Sequence, residues 1–89
     1  MCTYLTERIA VEGSAKSGER WSAVSSASVY FDHPVHAYAE HSVNLDFFDH
    51  RDGSPARRVA LELTPSAARE LAAAIERVLA SAPAELTTG

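Results

Sequence analysis

At Thr64-Pro65 the hydrophobic period of this chain changes from that of a strand to that of a helix, and the change limits the folds open to it. Before it, Arg57 to Leu63 alternates, with Val59, Leu61 and Leu63 on one face and Arg58, Ala60 and Glu62 on the other. That is a strand with one wet face. After it, Leu71, Ile75, Val78 and Leu79 recur at helical spacing. Thr64 can cap the helix, and Pro65 suits a first position where no N–H is needed. Arg69, Glu70, Glu76 and Arg77 fall on the other side, and Pro83 ends the helix near residue 81. A helix with one apolar stripe, following directly on a one-sided strand, implies a sheet for it to cover.

The upstream residues supply that sheet. His41 to Phe47 alternates, pointing Val43, Leu45 and Phe47 inward and Ser42, Asn44 and Asp46 outward. Asp52-Gly53-Ser54-Pro55 is turn chemistry, so this run and the next should form a hairpin. Trp21 to Phe31 reads as one bent strand with Ala27, Val29 and Phe31 on a common face. Val24 has the opposite parity, and Ser25-Ser26 would suit a bulge. A first strand covers about Thr3 to Val11, and Gly13-Ser14-Ala15-Lys16-Ser17-Gly18 reads as a flexible connection. The predicted fold class is α+β: an antiparallel sheet of about four strands with one C-terminal helix packed on one face. Residues 1–83 form the single domain that 89 residues allow, and 84–89 a loose tail.

Charge and composition then exclude function classes. Eight Lys+Arg against twelve Asp+Glu give a formal charge of −4, with the basic residues scattered apart from Arg57-Arg58. Nucleic-acid binding leans on clustered positive charge and is not expected. A 46% hydrophobic, 22% charged composition is globular, and no apolar run is long enough to span a membrane. The opening Met1-Cys2-Thr3-Tyr4 lacks a basic segment followed by an apolar one, so a cytoplasmic location is expected. A single cysteine fits a reducing compartment.

The chemistry-bearing feature is Asp32-His33-Pro34-Val35-His36-Ala37-Tyr38-Ala39-Glu40-His41, which holds three of the four histidines within nine residues. Neutral imidazole is the commonest transition-metal ligand, and a ligating ring usually donates its second N–H to a carboxylate or carbonyl. Strand parity puts His33 on the face of Val29 and Phe31 and His41 on the face of Val43, at one end of the sheet, with His36 on the loop between them. The spacing matches no standard zinc motif. His33, His36 and His41 are therefore candidate metal ligands, with Cys2 as a candidate fourth. Removal of Met1 would leave the Cys2 thiol beside an amine, a pair able to chelate or to act as a nucleophile. Zinc is the first choice, and copper, nickel or iron also suit a histidine set. Glu40 or Asp32 would be the general base to a metal-bound water in a hydrolase or lyase reaction on a small polar substrate. His50, at the far end of its strand, should be solvated.

The opening Met1-Cys2-Thr3-Tyr4, the run Val29-Tyr30-Phe31-Asp32-His33-Pro34-Val35-His36, Glu40-His41 and Val59-Ala60-Leu61-Glu62-Leu63 together resemble a family of small actinobacterial proteins, a domain of unknown function. The resemblance spans nearly the whole chain. It implies a bacterial, single-domain protein and carries over no catalytic residue. Two readings stay open: a small metalloprotein built on the histidine loop, or a metal-free binding or accessory module that works through self-association or a protein partner. A homodimer or larger oligomer is expected, because a four-stranded sheet backed by one helix leaves a face and two edges open.

Overall fold

A computed structural model of the chain describes residues 5–49 and 57–89. Four strands follow in order, β1 (Thr6–Ser17), β2 (Arg20–Asp32), β3 (Ser42–Asp49) and β4 (Arg57–Leu63), and then the helix α1 (Pro65–Ser81). Each strand pairs antiparallel with its neighbours in the spatial order β1-β2-β3-β4, so the α+β fold is the expected one. The Thr64 side chain accepts the Ala67 N–H at 3.2 Å, and the helix runs from Pro65 to Ser81. Ala84–Leu86 adds one 3-10 turn beyond it. Among the described residues no helix is long and apolar enough to cross a membrane.

The first hairpin departs from expectation. Residues 13–17 are strand, paired with 20–24, and only Gly18-Glu19 turns the chain. Gly18 has φ +61°, the left-handed conformation that a type II′ hairpin needs at its first central position. Small residues read as a linker because they lack apolar alternation, but an exposed edge strand needs none. The bulge also moves. Two residues of β1, Val11 and Glu12, oppose Ser25 alone, so the extra residue lies in β1 and not at Ser25-Ser26. The turn at 52–55, like Cys2 and His50, lies outside the described residues.

Register sorts the side chains into cross-strand rows. Glu7, Val29, Leu45 and Leu61 form one row of the apolar face, and Ile9, Ala27, Phe47 and Val59 the next. Thr6, Tyr30, Asn44 and Glu62 form a row of the polar face, beside Arg8, Ser28, Asp46 and Ala60. Burial then inverts the simple picture. Ser42, Asn44 and Asp46, expected to face water, are 0%, 5% and 7% exposed, while Val43, Leu45 and Phe47 are only half-buried. Two causes combine. The loop from His33 to His41 folds over the polar face, and α1 meets the sheet only near its start, where Pro65, Ala68 and Ala72 border a groove with Phe31 and Val43.

Candidate functional site

The loop over the polar face is held by one carboxylate. Glu62 accepts the N–H groups of Val35, of His36 at 2.8 Å and of Ala37 at 3.1 Å. Three successive amides aimed at one anion make a small nest, which satisfies backbone donors that no strand could pair. The hydrogen bonds from Val35 and His36 hold Glu62 below the usual carboxylate range, with Ala37 and the nearby His36 adding to them against a small loss of hydration. Pro34 begins this arc, lacks an N–H itself and favours an extended residue before it.

Beneath the loop is a cleft of about 750 Å³, lined by Tyr30, Asp32, His36, Asn44, Asp46, Arg58 and Glu62 among others. Its floor is ordered by bonds between side chains. Arg58 Nε lies 3.0 Å from Asp46 Oδ1, and Tyr30 lines the same cleft within reach of the Asp46 charge. Burial, then the Asp46 charge and its hydrogen bond, push the Tyr30 hydroxyl above its usual pKa, with Arg58 opposing. The Ser42 hydroxyl donates to Asn44 Oδ1 at 2.7 Å, completely buried under the loop. Among the described residues no buried side-chain nitrogen or oxygen is left without a partner. Such a satisfied network fixes each side chain in one rotamer, which is what a preformed binding surface requires.

The described histidines divide into a pair and a single residue. His33 and His41 lie with ring centroids 4.5 Å apart, and His41 also stacks on Phe31 at 5.4 Å. Strand parity had brought these two to one end of the sheet, and the structure does the same. His33 Nδ1 is 2.8 Å from the Glu40 carbonyl oxygen; since a carbonyl only accepts, this nitrogen carries the proton. Asp32 Oδ1 accepts the His33 backbone N–H at 2.7 Å. Glu40 thus reaches His33 through its main chain, and its own side chain is exposed. His36 borders the cleft, with its N–H given to Glu62. Among the described residues no group of three or more His, Cys, Asp or Glu is arranged to hold a metal ion.

The family model for DUF6295, a family of unknown function, matches residues 1–88. The chain belongs to this family. No curated protein and no solved structure matches it. The site of this DUF6295 member therefore rests on its own geometry. Residues 33–41 stood out in the sequence, while Asn44, Asp46, Arg58 and Glu62 did not. A signal was present in the even positions of β3, where Ser42, Asn44 and Asp46 place three polar groups in succession on a strand next to the tyrosine-bearing β2.

Proposed function

We propose that this DUF6295 protein is a small binding module whose ligand occupies the cleft on the polar face of the sheet. The observation that carries the reading is a preformed cleft of about 750 Å³ floored by the buried Asp46 with its Tyr30 and Arg58 partners. Ligand sites are typically clefts of roughly 300–1,000 Å³ with a few fixed polar groups. The lining holds the carboxylates of Asp32, Asp46 and Glu62 against the one guanidinium of Arg58, and Val35, Ala37 and Ala60 add apolar wall. This charge balance favours a small organic molecule with a cationic or hydrogen-bond-donating group and an apolar portion. The test is a titration of isotope-labelled protein with size-matched panels of amines, guanidines and carboxylates. Amide shifts at Val35 to Ala37, Asn44, Asp46 and Ala60 with the cationic panel are expected. If no compound moves them at millimolar concentration, the cleft is not a binding site.

The His33–His41 pair supports a second reading, in which these imidazoles bind a divalent transition metal, zinc first, with His36 and Cys2 as further ligands. A carbonyl on Nδ1 is the partner that orients a ligating ring to present Nε2. Glu40 or Asp32 would then serve a metal-bound water as base. Elemental analysis of protein purified without a histidine tag separates the readings: a stoichiometric metal lost in His33→Ala and His41→Ala supports the second, and a substoichiometric content of every transition metal leaves the first.

A further inference from the structure

The cleft uses one face of the sheet, and on the other α1 covers only the end near Phe31 and Val43. None of the residues of α1 is buried, and its stripe is open to solvent, with Leu71 42%, Ile75 51%, Val78 67% and Leu79 48% exposed. Opposite it, Ile9 and Leu61 of the apolar sheet face are 51% and 42% exposed. Among the described residues, Val24 and Ala27 are the only hydrophobic ones that are buried. No stable domain of this size rests on so little.

The totals agree. The chain exposes 7001 Å², where a compact monomer of its 9.6 kDa would expose about 5,100 Å². Its radius of gyration is 14.8 Å, where about 12 Å is usual for this length. Part of this excess belongs to the exposed residues 83–89, and the remainder is of the order of the roughly 1,000 Å² or more that each partner contributes to an obligate homodimer. The surfaces also fit in kind and in length. The 17 residues of α1 span about 25 Å, and the 8 residues of β3 about 27 Å. An apolar helix stripe and an apolar sheet face are the two halves of one layered core, and this chain carries both.

We propose that two copies of the chain pair about a two-fold axis, the helix α1 of each lying along the apolar face of the other's sheet. A second copy is the occupant that covers both surfaces at once, because a two-fold axis presents each chain's helix to the other's sheet and leaves neither over. The helix flanks argue against a membrane. Arg69 and Arg77 are balanced by Glu70 and Glu76, whereas interfacial helices favour an excess of basic residues. The polar cleft lies on the opposite side of each sheet and stays open in such a dimer, so the inference stands apart from the ligand reading.

Sedimentation across a dilution series from high micromolar to nanomolar reads the mass, and Ile75→Glu reads the surface. The wild type is expected to be a dimer, and the variant to dissociate about thirtyfold more readily or worse, since it sets a charge at an apolar anchor. An isotope-filtered NOE experiment on mixed labelled and unlabelled wild-type chains does not depend on whether that variant folds. It should connect Ile75 and Leu79 methyls with Leu45, Phe47 or Leu61 of the other chain. A monomeric wild type at every concentration overturns the proposal. So does a dimer whose inter-chain contacts lie on a sheet edge or the polar face, or an Ile75→Glu chain that keeps the wild-type affinity.

Discussion

Asp46 offers a sharp measurement because its two partners differ in exposure. Its side chain is 10% exposed and that of Arg58 is 58%, while Tyr30 is half-buried beside it. Tyr30 is held above its usual pKa partly by Asp46, and a hydrogen bond to a charged group is worth about 1.5–3 kcal/mol, so the Tyr30 hydroxyl is expected to supply most of the coupling. The Arg58 pair is screened by water on one side and falls in the surface range of about 0.2–1 kcal/mol. Asp46→Ala should therefore cost about 2 kcal/mol, after allowing for the desolvation cost it also removes. For a chain of this size the urea slope is about 1 kcal/mol per molar, so the midpoint should fall by about 2 M. All variants must be compared at one protein concentration, because association adds to apparent stability.

Double-mutant cycles then apportion the cost. The coupling of Tyr30→Phe with Asp46→Asn should exceed that of Arg58→Ala with Asp46→Asn by about 1 kcal/mol or more. Titration gives an independent reading of the same bond. A folded-state pKa above the ordinary tyrosine value means that unfolded chains lose the proton first, so stability begins to fall near pH 10 and goes on falling up to the folded pKa. Asp46→Ala should bring Tyr30 partly back toward its usual value, since burial persists while the charge and the hydrogen bond are gone. Equal couplings for the two partners, or a tyrosine titration untouched by Asp46→Ala, would show that the carboxylate is held by the ion pair and refute the reasoning.

The Glu62 nest should release as pH falls. Its folded pKa is depressed, so its stabilisation is present above the ordinary carboxylate value and is lost as pH drops through the lower folded value; amide exchange at Val35, His36 and Ala37 should speed up there, and in Glu62→Ala at any pH. If those amides keep their protection in Glu62→Ala, the loop is held by something else. Gly18→Ala should cost about 1–2 kcal/mol in chemical denaturation, because a Cβ meets no neighbour at that position but strains the φ of +61°. A neutral outcome would mean that the first hairpin turns in another conformation.

Elements whose pattern depends on nearby residues could be read from the sequence. The alternation from Arg57 to Leu63 and the Thr64-Pro65 boundary appear in the structure at those residues, because strand pleat, cap and proline act within a few positions. The meeting of His33 and His41 was legible for the same reason, since two strand parities and a short connection determine it. What was not legible depends on which face is covered. Ser42, Asn44 and Asp46 read as wet because polar residues usually are, and only the Glu62 contacts with residues 35–37, 25 or more positions away, bring the loop over them. The extension of β1 was missed because an exposed edge strand of small residues carries no apolar signal.

A sheet under selection for a stable monomer alone would shield its apolar side and leave the polar side to water. This one does the reverse, placing the best-shielded of its described positions at Ser42 and leaving Ile9 of the apolar face half open. Burying Asn44 and Asp46 costs desolvation that their partners only offset, so their place on β3, flanked by strands on both sides, makes sense where a fixed polar surface serves recognition. The pleat points those groups and the apolar set to opposite sides, which makes the two proposals separable in experiment. Substitutions at Tyr30, Asn44 or Arg58 should alter ligand response at unchanged mass, and Ile75→Glu should alter mass while an intact cleft remains in each folded chain.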